Sequence, residues 1–184
     1  MQRTDTSSAG GATLIQSDPS PGRPEALGEQ LRWVHKMLRR DLAAVHDLAG
    51  RVADGDIARV RADLQGLQAN APLFRLRTTC LAVCGTLHSH HGGEDDTLFP
   101  AIRRAAPHLA ALLDRLAADH TLISELLDQI ETLAADLDQA VSRSALIDAL
   151  DTLAAHLADH FIAEEDGLVP LLNTWPAWPD PKPI

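Results

Sequence analysis

The sequence is short of several residue types, and each shortage excludes a class of protein. It contains no tyrosine, so no tyrosyl radical and no tyrosine ligand to a metal is possible. Its two cysteines, Cys80 and Cys84, are too few for a thiolate zinc site and, four apart on one predicted helix, are badly placed for a disulfide. We interpret both as small core residues, with a redox role as the less favoured alternative.

The sequence is also short of basic charge and of long apolar runs. Acidic side chains number 26 against 16 lysines and arginines, and the resulting net charge of −10 disfavours nucleic acid and anionic membranes as partners. No apolar run approaches the roughly 20 residues of a membrane span, and the N-terminus lacks the apolar core of a signal peptide. We therefore expect a cytoplasmic protein, and 184 residues fit one domain.

Small polar residues and prolines are concentrated at the two ends of the chain. Residues 1–23 are rich in Ser, Gly, Thr, Asp and Pro, and we expect a disordered tail there. Residues 173–184 read NTWPAWPDPKPI, and their four prolines predict an extended tail. In that tail Trp175 and Trp178 either pack against the outside of the domain, which we favour, or dock a partner or cover a channel mouth.

Residues 24–172 have a helical pattern, because apolar residues recur at intervals of three and four. No stretch has the alternation of a strand. Four amphipathic helices, with a short extra helix near 56–68, predict an all-α fold: an up-down-up-down four-helix bundle. The four helices are predicted to begin near Pro24, at Pro72, at Pro107 and at Ser142 or Ser144, the last two as N-caps.

Histidine interrupts the aliphatic stripe of each predicted helix. In the second and fourth helices a glutamate follows the histidine by four residues, a spacing that puts both side chains on one face. Buried carboxylates and imidazoles are costly unless something compensates them, and a pair of divalent cations would do so. The interrupting residues are His35, His90, Glu94, His120, His160 and Glu164.

The second and fourth helices also share a sequence repeat. HHGGEDDTLFP at 90–100 aligns without a gap with HFIAEEDGLVP at 160–170, which predicts two helix pairs related by a pseudo-twofold axis through a shared site. Gly92 and Gly93 fall inside the first copy. We interpret them as allowing a neighbouring helix or a ligand to approach closely, so that the two metal positions differ and the open side lies at the second helix.

Five further histidines need an interpretation. His91 and His156 lie off the glutamate-centred stripes, and each is left open as an additional ligand or as a neighbour of the ligands. Asp95 and Glu165 follow the glutamates directly and can hydrogen-bond to ligating imidazoles. The histidines predicted to lie in solvent, at the surface or at helix ends are His46, His88 and His108.

With these motifs the chain resembles the hemerythrin-like (HHE cation-binding) family over about residues 28–172. The likeness rests on WVHKMLRRDL, HHGGEDDTLFP, ADHTLISELL and HFIAEEDGLVPLL, which follow the family's order H, HxxxE, H, HxxxE. The resemblance implies a non-heme centre of two iron ions, ferrous or ferric, bridged by carboxylates and an oxo or hydroxo group. It implies terminal ligands His35, His90, His120 and His160 and bridging ligands Glu94 and Glu164.

One departure narrows what this resemblance implies, and the ferritin-like alternative fails on its spacing. Oxygen-carrying hemerythrins have two histidines four apart on the third helix, whereas here Leu116 and Ser124 occupy the positions four before and four after His120. One iron is then expected to have an additional open position unless His91 or His156 fills it. Ferritin-like sites use an ExxH pair, and this chain has the reverse order with a spacing of four.

The resemblance leaves the activity open. We favour a di-iron oxidoreductase that binds and turns over hydrogen peroxide, NO or O2, either catalase- or peroxidase-like, NO-reactive, or an oxygenase on a small organic substrate. The alternatives are a module that binds or senses O2 or iron without catalysis, and a bundle that binds zinc or no metal. The partner expected is a small molecule, with no nucleic acid and no membrane.

Overall fold

The computed structural model describes residues 26–53 and 71–180 of the chain. The tail predicted at 1–23 and the short helix predicted near 56–68 lie outside these ranges, as does Pro24. Within the described ranges the structure is helical and contains no strand, which confirms the predicted all-helical class. No helix in these ranges is both long enough and apolar enough to cross a membrane.

Four long helical segments account for most of the described residues. The second of them is continuous but changes character, because a π-helical turn separates two α-helical parts. The segments are α1 (Leu27–Ala53); α2 (Ala71–Gly93), the π-helical turn Glu94–Leu98 and α3 (Phe99–Ala105); α4 (Ala110–Ala135), preceded by the 3-10 turn Pro107–Leu109; and α5 (Ala140–Leu172).

The long helices pack side by side as a bundle. The α1 helix contacts α2 and α5, and α4 contacts the same two helices, so each has two neighbours. The directions in which successive helices run, and the boundaries of the two tails, stay predictions. After α5 the chain from 173 to 180 continues in turns and irregular structure, with Trp175 half-buried against the core.

The apolar core is divided into two clusters along the bundle. The larger one takes residues from α1, α2, α4 and α5, including Leu38, Leu87 and Ile123. The smaller one takes residues from the start of α1, from the π-helical turn and α3, and from α4 and α5, including Leu31 and Leu98. The histidines and glutamates of each helix lie in sequence between the residues that join these two clusters, so apolar side chains flank them on both sides.

The spacing of apolar residues predicts inward faces that need two small corrections. In α1 the predicted stripe, which includes Leu31 and Leu38, is buried, and so is that of α5, which includes Leu153 and Leu157. The spacing places Val83 of α2 and Leu112 at the start of α4 inward, whereas the buried residues are Cys84 and Leu113. A step of four from Cys80 and a step of three to Leu116 put these residues on the face that meets the other helices.

The predicted serine caps of the last helix are wrong. The α5 helix begins at Ala140 with Gln139 as the capping residue, and no side-chain cap hydrogen bond is formed there. The Ser142 hydroxyl instead donates to Asp136 Oδ2 at 3.2 Å. Because Asp136 lies in the preceding turn, the serine links this turn to the helix and does not cap the helix N-terminus.

The two cysteines are buried free thiols in the larger core cluster, as predicted. Burial raises the pKa of Cys80 to about 11 and that of Cys84 to about 12. Since the thiolate is the reactive form, we expect iodoacetamide at pH 8 to alkylate the folded chain slowly and the guanidinium-unfolded chain quickly. Mass spectrometry of a time course measures both rates, and rapid alkylation of the folded chain would contradict the assignment.

Candidate metal centre

Seven histidine and glutamate side chains meet between the two apolar clusters. Six of them are at most 5% exposed, and the His90 side chain is 12% exposed. They come from every long segment of the bundle: His35 from α1, His90 and His91 from α2, Glu94 from the π-helical turn, His120 from α4, and His160 and Glu164 from α5.

Their donor atoms form two groups. The first group is His91, Glu94, His120 and His160, and the second is His35, His90, Glu94 and Glu164; within each, one ligand atom per residue lies within 4.8 Å of the others. The members include all six residues that the helix stripes and the resemblance singled out, together with His91.

Glu94 belongs to both groups. Its Oε1 lies 3.3 Å from His90 Nε2 in the second group, and its Oε2 lies 3.5 Å from His120 Nε2 in the first. Each carboxylate oxygen therefore faces an imidazole of a different group, which is the arrangement required of a bridging carboxylate. Glu164 Oε2 also lies near both groups, 3.3 Å from His35 Nε2 and 3.6 Å from His160 Nε2.

The two groups have different donors. The first group offers three imidazoles and one carboxylate, whereas the second offers two imidazoles and two carboxylates. His91 supplies the additional imidazole of the first group, since it is buried and its ring stacks on the ring of His120 with centroids 4.3 Å apart, and Glu164 supplies the additional carboxylate of the second. His156, the other open candidate, is exposed and lies outside both groups.

The position of His91 has a counterpart in the repeat. His91 follows His90, and Phe161 follows His160 at the same place in the aligned segments. Phe161 stacks on His35 with centroids 4.0 Å apart and an angle of 14° between the planes, just as His91 stacks on His120 at 16°. The repeat thus places a ring against an imidazole in each half, and only one of the two rings carries a donor nitrogen.

Two of the imidazoles are oriented by carboxylates on the side of the ring that faces away from the centre. His35 Nδ1 lies 2.9 Å from Glu165 Oε1, and His120 Nδ1 lies 2.9 Å from Asp95 Oδ1. A carboxylate only accepts, so each Nδ1 carries the hydrogen and donates it, which leaves the Nε2 lone pair facing the centre. Both carboxylates were predicted for this role. Arg39 supports one of them, because its Nη1 donates to Glu165 Oε1 at 3.2 Å.

The π-helical turn is the feature that the sequence analysis missed. Phe99 N–H donates to Glu94 O, five residues back, at the point where the aligned segment of α5 stays α-helical. Such turns add one residue to a helix and often occur at functional sites. The signal available in the sequence was the preceding pair Gly92 and Gly93, since two glycines weaken an α-helix by about 1 kcal/mol each relative to alanine.

The expected close approach of a neighbouring helix to the glycine pair is wrong. A Cβ built on Gly92 or on Gly93 would meet no atom within 4 Å, so packing against another helix does not require glycine at either position. Gly93 instead lines a cavity. The physical reason is that Leu87, His91, Glu94 and Leu98 take the inward face of this segment, and the glycines lie beside it.

Burial keeps the imidazoles of His90, His91 and His160 neutral, which is the form that binds metals. Desolvation lowers the pKa of His90 and of His160 to about 4 and lowers that of His91 further. Desolvation and the nearby Glu164 carboxylate raise the pKa of Glu94. Burial alone would raise the pKa of Glu164 as well, but the adjacent imidazole of His35, together with those of His160 and His90, outweighs it, and the pKa is lowered.

Most donor atoms of the cluster have no hydrogen-bond partner among the described residues. These atoms include the Nε2 of His35, His90 and His91 and both carboxylate oxygens of Glu94 and of Glu164. A buried polar atom without a partner costs about 1–3 kcal/mol, and a buried charge costs more. Imidazole nitrogens and carboxylate oxygens together are donors that suit divalent transition metals. The residues therefore fit a pair of cations.

The remaining histidines lie outside the cluster. His46 Nε2 is 2.8 Å from Asp151 Oδ1, and His88 Nε2 is 3.8 Å from Asp128 Oδ1. His108 is exposed in the 3-10 turn. His156 lines a separate polar cavity of about 340 Å³ that reaches His160 from the side of α4 and α5. None of these four belongs to either donor group.

A comparison with family sequences agrees with this arrangement. The family described as Hemerythrin HHE cation binding domain matches residues 27–172, a span that contains both donor groups and both carboxylates behind them. No curated protein matches the chain significantly, and no solved structure does.

Removal of metal should lower the stability of the folded chain. Because the buried donors lack protein partners, bound cations stabilise the fold, by about 4 kcal/mol when the free metal is at a thousand times its Kd. Thermal unfolding followed by circular dichroism, with anaerobic ferrous iron and then with a chelator, measures the change in Tm. Equal Tm values in the two conditions would show that no cation occupies the cluster.

A second prediction concerns His91. His91→Phe copies the residue at the equivalent position, so it keeps the ring stack on His120 and removes the donor nitrogen. We expect the metal content to fall from two equivalents to about one, since His91 serves only the first of the two groups. His156→Phe is the matched control and should leave the content unchanged. Elemental analysis measures both variants, and an unchanged content in His91→Phe would remove His91 from the ligands.

Proposed function

Because this chain belongs to the hemerythrin HHE cation-binding domain family, we propose that its two donor groups hold two iron ions and that the protein turns over a small oxidant, namely hydrogen peroxide, NO or O2. Bound iron supplies Lewis acidity and one-electron redox chemistry. The protein supplies the donors, their orientation and a site flanked by apolar side chains.

The observation that carries the proposal is the position of Glu94. One oxygen of this buried carboxylate faces His90 and the other faces His120, so the two donor groups are joined by a single side chain. A shared carboxylate holds two cations as a pair, and a pair can bind one small molecule from both sides.

The donor count supports turnover over simple retention of metal. Each group offers four protein donors, one of which is shared, and iron sites with few protein ligands keep positions for exogenous ligands. The second group also carries two carboxylates against one in the first. Since negative donors stabilise higher cation charge, the two groups favour different oxidation states, which suits a centre that changes charge during turnover.

The surrounding side chains determine the orientation of the donors and the polarity of the site. Glu165 and Asp95 fix the tautomers of His35 and His120, so these imidazoles present Nε2 in any state of the centre. Core residues such as Leu31, Leu38 and Leu116 place apolar side chains on both sides of the donors. The small oxidant is thus met by oriented nitrogens and carboxylate oxygens in surroundings of low polarity.

The test is turnover by the iron-loaded full-length chain. We expect oxygen release from hydrogen peroxide or consumption of NO, measured with electrodes, and two irons per chain by elemental analysis. Glu94→Gln should lose iron from both groups and reduce turnover by about a hundredfold or more, because it removes the shared anionic ligand. Asp96→Asn, a matched change at an exposed acid two residues away, should leave iron content and turnover unchanged.

Three results would contradict the proposal. Zinc in place of iron, or fewer than about two irons per chain, would remove the di-iron centre. Equal turnover in Glu94→Gln and in the wild type would place the chemistry elsewhere. A stable, reversible absorption change with O2, without turnover of peroxide or NO, would instead favour a protein that carries or senses O2.

A further inference from the structure

A cavity of about 340 Å³ opens onto the second donor group from the side of α1 and the π-helical turn. His90 and Glu94, members of that group, form part of its lining. Leu31, Val34 and Leu98 contribute apolar wall, and Trp178 from the segment after α5 contributes a ring. The packing of the bundle leaves this space unfilled, and the cavity reaches the donors directly.

We propose that this cavity binds a small uncharged aromatic molecule and holds it against His90 and Glu94. Its role as a substrate site rests on the function proposed above, whereas its ability to bind such a molecule does not depend on iron chemistry. The size, the wall and the charge of the cavity each support this class of ligand.

The size of the cavity limits the ligand to one or two rings. Ligand cavities in proteins span about 300–1,000 Å³, and 340 Å³ is near the lower end. O2, NO and hydrogen peroxide have two to four atoms and would leave most of this volume unfilled. A molecule with a body of one aromatic ring and a substituent fills it better.

Trp178 gives the wall a flat aromatic surface. Its Nε1–H donates to Gln30 Oε1 at 2.8 Å, which ties the segment after α5 to α1 and fixes the plane of the ring. The side chain remains 39% exposed, so part of the indole is available for contact with a ligand. Aromatic rings favour other aromatic rings in stacked or edge-to-face contact by about 0.5–1.5 kcal/mol beyond the area buried.

Charge on the ligand has no partner in the wall. The described residues that line the cavity include no lysine or arginine, and the ionisable ones, His90 and Glu94, are donors of the centre. A charged group placed among Leu31, Val34 and Leu98 would lose its hydration without compensation. An uncharged molecule avoids this cost.

The cavity explains why glycine occupies position 93. It lines the cavity, and a Cβ built on it would meet no atom within 4 Å. Glycine inside a helical segment costs about 1 kcal/mol relative to alanine, and the aligned position in α5 is Ala163. Since no neighbouring helix requires glycine here, the absent side chain serves to keep the cavity wide next to Glu94.

Binding is tested with benzotrifluoride as the probe. The full-length chain is loaded with Zn²⁺, a diamagnetic substitute that keeps the donor groups compensated and leaves iron chemistry out of the measurement. Fluorine NMR of the probe should show broadening that saturates with protein concentration. No binding at any accessible concentration would overturn the proposal, whatever the outcome of the peroxide and NO assays.

Two matched pairs of variants locate the probe. Gly93→Leu fills the cavity and should weaken binding by about tenfold or more, whereas Gly92→Leu, at a neighbouring glycine outside the lining, should leave it unchanged. Trp178→Ala should weaken binding similarly, whereas Trp33→Ala, at an exposed tryptophan on α1, should not. Circular dichroism melts check that each variant is folded. Equal effects within both pairs would place the probe elsewhere.

The charge of the ligand is tested with 4-(trifluoromethyl)benzoate, the anionic analogue of the probe. We expect it to bind the metal-free chain at least about tenfold more weakly than benzotrifluoride, because the wall offers no cation. Equal or tighter binding of the anion would overturn the uncharged class. If the neutral probe binds but the iron-loaded chain turns over no oxidant, the binding site stands and the proposed function fails.

Discussion

The structure depends on the burial of a set of polar donors that the protein alone does not satisfy. Glu94 and Glu164 lie with their imidazole neighbours between two apolar clusters, and neither carboxylate has a hydrogen-bond partner among the described residues. Apolar packing holds the helices that present these donors, and the donors in turn need positive charge to remain buried. Fold and cation binding are therefore coupled through one layer of the bundle.

The sequence repeat explains why the donors form two similar groups and why these two groups differ. Each half contributes an imidazole whose Nδ1 is hydrogen-bonded to a carboxylate of the other half, His35 to Glu165 and His120 to Asp95. A ring of the other half also stacks on each of these imidazoles, Phe161 on His35 and His91 on His120. A single histidine in place of phenylalanine gives the two donor groups different numbers of imidazoles.

The same half of the repeat that carries His91 also carries the open space. The π-helical turn at Glu94 and the glycines before it occur in this half, and α5 has neither in the aligned segment. Gly93 and Trp178 then border a cavity that ends at His90 and Glu94. The other half carries the bulkier Phe161, Ile162 and Ala163, and the cavity that reaches His160 there is polar. The additional imidazole and the apolar cavity thus arise from one short segment.

The set of helices and the residue types that face inward follow from the sequence alone. Helical periodicity is local, so spacings of three and four were enough to place His35, His120 and both HxxxE pairs on buried faces. Folding of the bundle places His91 in the cluster and His156 at the surface, since a residue at the edge of a stripe turns inward or outward with the rotation of its helix against its neighbours. The π-helical turn, the surroundings of the glycines and the position of Trp178 likewise come from the tertiary structure, because each depends on contacts between segments far apart in the chain. Local spacing carries no information about such contacts.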